Sequence, residues 1–535
     1  VAEPAHPSTT LSPARKWAVT MSVMLITVTQ MLDTSITNVA LPHMQGSLST
    51  GVEETAWVVT SYLAANAVVI PATGWLTGFL GRRRLFLICT TVFTVSSFLS
   101  GLAPNLEFLV LMRVLQGLGG GPVVPMAQAT MWEIFPLHQR GMAMAVWGIG
   151  IMMAPILGPT VGGWICDEWS WRWIFYVNLP IGVAGFLMAS AFLFDSPYLR
   201  KPSAIDWPGL ALMIAGFGAL QLMLDRGERA DWFASTEIVV LAWVAAAAIA
   251  AFLLRELATP EPILNLSVFN NRNFAVGSVI MATVGFGFYS STVLLALYTQ
   301  KVMAYDAWTS GLVLAPGGVG NMMALLVSGR LVRLVDQRAL LAVGFAFNAA
   351  AFFLMTQVTS GMDYWALAFP RFVQGLGQGF TFVPLQTLAL ATMPMDRLTN
   401  ATAAYNVVRN FGGSTGVALA TTLLARRSQY HQATLAGHVT SWDPETAERL
   451  RHWTDYFLER GADRFTAERR AMAMLYRGAV DQAQVLSYAD AYVLLLGLFL
   501  GLILLLPWMR RVRPDASGPA PAGAARGEGA GRGPG

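Results

Sequence analysis

Apolar runs of about twenty residues, separated by short polar breaks, repeat along almost the whole chain. Each run is long enough to cross a bilayer as a helix. They predict fourteen spans, at 17–40, 56–78, 85–103, 106–130, 141–164, 173–193, 208–225, 236–254, 274–299, 309–329, 339–357, 364–390, 401–425 and 488–509. Aromatic residues gather near the run ends, as at Trp169, Trp171 and Trp173, where interfacial belts form. Only 12% of the 535 residues are charged and the mean hydropathy is +0.51. A soluble chain carries about 25% charge. The pattern is that of an all-α polytopic membrane protein.

An even number of spans puts both termini on one side. If that side is the cytoplasm, its ends and loops hold Arg15, Lys16, Arg82, Arg83, Arg84, Arg140, Arg200, Lys201, Arg255, Arg272, Arg330, Arg333, Arg338, Arg397, Arg510, Arg511 and Arg513. The short outer loops hold only Arg172, Arg226, Arg229 and Lys301. This asymmetry places both termini in the cytoplasm. The net charge of +4 is therefore a topology signal and predicts no nucleic-acid partner. Residues 1–14 and the Gly/Ala/Pro tail 510–535 are predicted disordered, and no cleavable leader is expected. Between the last two spans, 426–486 forms a long outer segment with nine arginines and eight acidic residues. Helical spacing is expected from Pro444 to Phe457 and from Ala467 to Leu486, as a solvated cap or a docking surface.

The chain echoes itself. Trp57 and Gly78 recur as Trp308 and Gly329, and the Arg113–Gly119 heptapeptide recurs at Arg371–Gly377, where Arg371, Gln374 and Gly375 repeat Arg113, Gln116 and Gly117. Parallel halves of six helices, with an extra pair between them, have the major facilitator architecture. The expected division is a first bundle at 15–195, two extra helices at 196–256, and a second bundle at 257–509.

Charged groups inside spans carry the chemistry, since each costs about 2.5–3.5 kcal/mol at a helix centre. Asp33 is the leading proton-coupling candidate, with packing alone as its plain alternative. Arg113 stays charged and can modulate Asp33 without itself releasing the proton. Asn38, Gln116, Gln128, Gln386 and Arg409 are candidates for a substrate cavity, though the amides can equally bridge helices. The fifth span carries Gly150, Pro155, Gly158, Pro159, Gly162 and Gly163. It is expected to be a bent, closely packed helix that either makes a tight contact or governs which side a cavity faces. The turn holding Gly74, Gly81, Arg82, Arg83 and Arg84 is a tight basic loop, acting as a latch or as a topology signal. No phosphate-binding loop and no metal signature is present, so neither ATP hydrolysis nor a cofactor is expected. Cys89 and Cys166 are not expected to pair.

These motifs resemble the fourteen-span drug/proton antiporters of the major facilitator superfamily, in the EmrB/QacA branch. The resemblance runs from Ala18 to Trp508. It rests on Leu32-Asp33-Thr34 through Pro42, on Arg113, Gln116 and Gly117, on Gly150 through Gly163, and on the loop Trp442–Trp453. It implies export of hydrophobic or amphipathic drugs driven by the proton gradient, from the inner membrane. It further implies a periplasmic adaptor of the EmrA type and an outer-membrane channel of the TolC type. One departure stands out: where that superfamily usually has an acid in the loop after the second span, this chain has Gly78. A facilitator or importer of a specific solute, or a non-transporting membrane scaffold, are the rival readings.

Overall fold

The computed structural model describes residues 11–198, 205–439 and 443–511, all helix and connecting turn. Thus 1–10, Arg200, Lys201, Trp442, Arg513 and the rest of the tail lie outside the described residues. Helices begin where the sequence supplies an acceptor for free N–H groups. Ser12 caps α1 (Pro13–Leu48), Asn105 caps α5 (Leu106–Gly120) and Asp206 caps α10 (Trp207–Arg226). Asn271, Asp306, Asp336 and Asp363 do the same for α12 (Arg272–Leu297), α13 (Ala307–Leu331), α14 (Gln337–Met355) and α15 (Tyr364–Leu390). α1 starts at Pro13, inside the stretch 1–14 that the sequence assigned to the N-terminal segment.

Prolines divide some spans. Pro71 separates α2 (Val52–Val69) from α3 (Thr73–Leu80), and the pair is bent by 64°. Pro122 separates α5 from α6 (Val123–Ile134), yet Leu106–Ile134 still reads as one span. The remaining elements of the first half are α4 (Arg82–Gly101), α7 (Leu137–Glu168), α8 (Trp173–Tyr176) and α9 (Asn178–Phe192). Then come α11 (Thr236–Ala258), α16 (Leu398–His438), α17 (Pro444–Glu459) and α18 (Arg464–Ile503). Among the described residues ten helices are long and apolar enough to cross a membrane, or eleven with the bent α2–α3 pair. The expected fourteen is not reached by that measure. The long helices α7, α15 and α16 stand apart from the ten, and α15 and α16 dilute their apolar runs with Arg371, Gln374, Gln378, Asn406 and Arg409.

The fifth span, α7, is continuous helix through its glycines and prolines. One difference from expectation concerns helix continuity. The 426–486 segment is mostly an extension of its flanking spans, because α16 runs on to His438 and α18 starts at Arg464. A 41-residue helix is about 60 Å long, twice the thickness of a hydrocarbon core. The far end of α16 therefore projects beyond any bilayer.

Packing repeats along the chain. In the first half α1 lies against α7 and α9, while α2 and α4 both lie against α5. In the second, α12 lies against α16, while α13 and α14 both lie against α15. The α7–α13, α6–α16 and α3–α16 contacts join the halves, and α10 touches both α2 and α16. The outermost helix, α11, turns large apolar groups outward, with Trp243 73% exposed. In a membrane protein such a face meets lipid, which removes the penalty that water would impose.

Candidate transport site

The first cluster is assembled from five helices, α1, α2, α4, α5 and α9. Asp33 on α1 is 1% exposed and lies 2.6 Å from Nη1 of Arg113 on α5. The same carboxylate accepts from Gln116 Nε2 at 3.0 Å and from Asn178 Nδ2 on α9 at 2.8 Å. Arg113 is fully buried; its Nε donates to the Val58 carbonyl at 3.0 Å, and Nη1 also reaches Gln116 Oε1 at 2.8 Å. Its Nη2 has no hydrogen-bond partner, but the guanidinium lies 4.2 Å from the Tyr62 ring centroid, where the aromatic face attracts a cation. Asn178 also bonds Ser97 Oγ on α4. A proton arriving at Asp33 would remove the counter-charge of Arg113, so one chemical event alters contacts among α1, α5 and α9.

Asn178, Ser97 and Tyr62 were not foreseen from the sequence. A lone Asn at a helix start carries no signal of its own. Asn38 is not part of the cluster: it is exposed and bonds the Thr34 carbonyl of its own helix.

The repeated heptapeptide builds a related cluster in the second half. Arg371 Nη1 lies 2.5 Å from Gln374 Oε1 and its Nη2 lies 3.0 Å from Thr292 Oγ1 on α12, while Gln374 Nε2 reaches Ser291 Oγ at 2.6 Å. Gly375 brings α15 against the Gly317 carbonyl of α13, closer than any side chain there would allow. Arg409 on α16 is 7% exposed, bonded only at long range to Asn410 and with Nε unpartnered.

Gln128 and Gln386 join the halves. Gln128 Nε2 donates to Gln386 Oε1 at 2.9 Å, and Asn406 Nδ2 donates to Gln128 Oε1 at 2.7 Å. All three are at most 1% exposed, so here these amides bridge α6, α15 and α16 and present no open surface to a solute. Beside them Trp147 of α7 stacks on Phe382 of α15 at 5.8 Å, and Gly141 faces Val332 across the α7–α13 contact.

The glycines of α7 face two ways. Gly150, Gly158 and Gly162 lie against Met24, Ser35 and Ile36 of α1, directly behind Asp33. A methyl at Gly158 would fall within 2.4 Å of the Ser35 Cβ. Gly163, by contrast, faces open space and is not part of the contact. Pro155 and Pro159 lie in α7, their side chains outside the described ones. At the basic turn, Gly74 lets α3 approach Asn400 of α16, and Gly81 adopts φ 84°, a left-handed backbone suited to glycine. Arg82 is buried and paired with Glu133 of α6 at 2.6 Å. Arg83 bonds Asp195 through its N–H and Ser190 through its side chain, while Arg84 is exposed. Glu133 thus supplies an acid at this turn although Gly78 cannot; its presence at a span end was the available signal. Among the described residues no cluster of His, Cys, Asp and Glu fit for a metal exists, and both cysteines are free.

Comparison with known proteins bears on the family and the fold. The profile of the Major Facilitator Superfamily matches residues 23–417. The multidrug export protein EmrB of Escherichia coli strain K12 is 37% identical over 435 residues, 81% of this chain and 85% of that protein. The fatty acid resistance protein FarB of Neisseria gonorrhoeae is 36% identical over 83% of this chain and 87% of that one. Among solved structures, the human organic anion transporter MFSD10 superposes with a TM-score of 0.57 at 13% identity, covering 91% of this chain and 100% of that one, a likeness of fold alone. The chain therefore belongs to the Major Facilitator Superfamily, as a multi-pass, non-enzymatic membrane transporter related to the EmrB-type multidrug exporters.

Proposed function

We propose that this protein is a proton-coupled antiporter that exports hydrophobic and amphipathic drugs by alternating access. The observation that carries the reading is the Asp33–Arg113 ion pair, wholly buried inside an apolar helical bundle. An intramembrane ionisable pair is a functional element by default, because insertion alone selects against it. Two six-helix bundles, at 15–195 and 257–509, rock about the α7–α13 and α6–α16 contacts, with 196–256 as accessory helices. Fourteen crossings result when α7, α15 and α16 are added to the apolar helices and the α2–α3 pair is taken as one.

Substrate enters while Asp33 is charged, and a proton from outside at Asp33 drives release and resetting. Arg113, Gln116 and Asn178 hold the carboxylate in place between these steps. The Gln128–Gln386–Asn406 contacts hold one end of the cavity closed in this conformation. Both termini are cytoplasmic and the membrane is the bacterial inner membrane. The names of EmrB and FarB support lipophilic cargo, and the projecting ends of α16 and α18 with α17 offer a docking surface to a periplasmic adaptor. An outer-membrane channel would complete a tripartite system.

Gradient-driven drug accumulation in proteoliposomes tests the proposal. Asp33→Asn is expected to lose at least tenfold in gradient-driven accumulation while still folding, as judged by size-exclusion behaviour. Wild-type accumulation with no dependence on the gradient, or an undiminished rate in Asp33→Asn, would sink the proton role.

A further inference from the structure

The second half holds a buried guanidinium that has no counter-charge among the described residues. Arg371 is 7% exposed, and among the described residues no carboxylate pairs with it. Its neighbours Gln374 and Thr292 are neutral, and its Nε has no hydrogen-bond partner. Arginine cannot escape this position by shedding its proton.

The repeat explains how the vacancy arose. Arg371 lies 258 residues after Arg113 (371 − 113), and 258 residues after Asp33 stands Ser291 (291 − 33). Gln374 bonds Ser291 as Gln116 bonds Asp33. The architecture is kept, and the acid is missing.

Arg371 borders a cavity of about 30 Å³, also lined by Phe288, Thr292, Asn321, Gln374 and Gln378. The Nε2 of Gln378, a residue 4% exposed, is a second donor without a partner. Gly317 keeps the guanidinium open to this space, since a methyl there would lie 2.9 Å from Nε. Two unsatisfied donors and an uncompensated positive charge converge on one cavity, which Asn321, its Oδ1 also without a partner, lines as well. Water can accept the hydrogen bonds and cannot supply the charge.

We infer that Arg371, assisted by Gln378, seats the carboxylate headgroup of an amphipathic anion, with Phe288 against its apolar part. This rests on the transport reading above and names a substrate class for it. Arg371 supplies to the anion what Arg113 already gives to Asp33.

The test is equilibrium binding of 2-naphthoate and of its neutral isostere 2-naphthamide to the full-length protein in nanodiscs of zwitterionic lipid. Wild-type protein is expected to prefer the naphthoate. Arg371→Gln should weaken naphthoate binding by tenfold or more and leave naphthamide within about twofold, with Arg371→Lys recovering part of the loss. Ser291→Asp, which places an acid beside Gln374, should abolish the preference and raise the thermal midpoint. Equal loss of both ligands in Arg371→Gln, or an unchanged preference in either charge-altering variant, overturns the assignment. So does loss of naphthoate binding in phosphatidylglycerol nanodiscs, which would make a lipid phosphate the occupant. Binding needs no proton gradient, so failure here is separable from failure of gradient-driven export.

Discussion

Ser291 stands in the second half where Asp33 stands in the first, each receiving a hydrogen bond from the glutamine three residues after an arginine. The distances are 3.0 Å to Asp33 and 2.6 Å to Ser291. Two equivalent arginines therefore share one acid. Among the described residues the first cluster closes its own charge within the bundle, and the second does not. Under the proposed function, this asymmetry leaves one half to answer to protons and the other to a ligand.

Breaking the buried pair should cost more than deleting it. Asp33→Asn strands Arg113, which is fully buried, and should lower stability by about 3–5 kcal/mol. The double variant Asp33→Asn/Arg113→Gln should recover a good part of that. A double-mutant cycle on unfolding in detergent measures the coupling, and purely additive losses would contradict a paired unit.

Close packing of α7 on α1 predicts a contrast between two glycines of one motif. Gly158→Ala forces a methyl onto Ser35 and should destabilise by about 1–3 kcal/mol. Gly163→Ala meets nothing within 4 Å and should be neutral or mildly stabilising. Thermal unfolding of the two variants, side by side, decides it.

The amide seam sets how often the halves stay joined at this end. Each hydrogen bond there contributes about 1 kcal/mol, so Gln386→Leu should shift the equilibrium by about fivefold. Cysteines placed at Gly141 and Val332, which face each other across the halves, report the closed state. Their cross-linking rate should fall about fivefold when Gln386→Leu is added, and an unchanged rate would remove the seam from the closure.

The α10–α11 hairpin should loosen in acid. The hydrogen bonds from Arg255 hold the carboxyl of Asp206 below the ordinary carboxylate range, outweighing burial, with the Gly209 N–H helping. A depressed acid contributes its stability above the unfolded value of about 4, and loses it as pH falls through the folded one. Hydrogen exchange in α10 should therefore rise on acidification below pH 4, and Asp206→Asn should flatten that response.

The fold class, most span positions and the two arginine-bearing repeats were legible in the sequence because they rest on local composition and spacing. Apolar length dictates insertion whatever the neighbours are, and Asp33 announces itself by costing energy in any span. Arg113 was one candidate neighbour of Asp33 in the sequence, with a place facing the cavity or fixing its own helix as the alternatives, and the structure pairs the two. Asn178 was not foreseen, because its role exists only where α9 meets α1. Likewise Gln128 and Gln386 read equally well as cavity groups or bridges until the approach of α6 to α15 chose the bridge. Glycines in α7 suggested a bent, closely packed helix, and at Gly150, Gly158 and Gly162 their missing side chains serve contact with α1.

By itself, then, the sequence determined that the chain is a polytopic helical membrane protein and that some spans carry charges, since each residue faces that transfer cost alone. Only the tertiary structure decided which charges are neutralised. Compensation depends on distances of about 3 Å between residues far apart in the chain, and Arg371 and Arg113, which share the Arg-x-x-Gln-Gly-Leu-Gly pattern, differ in what stands opposite them.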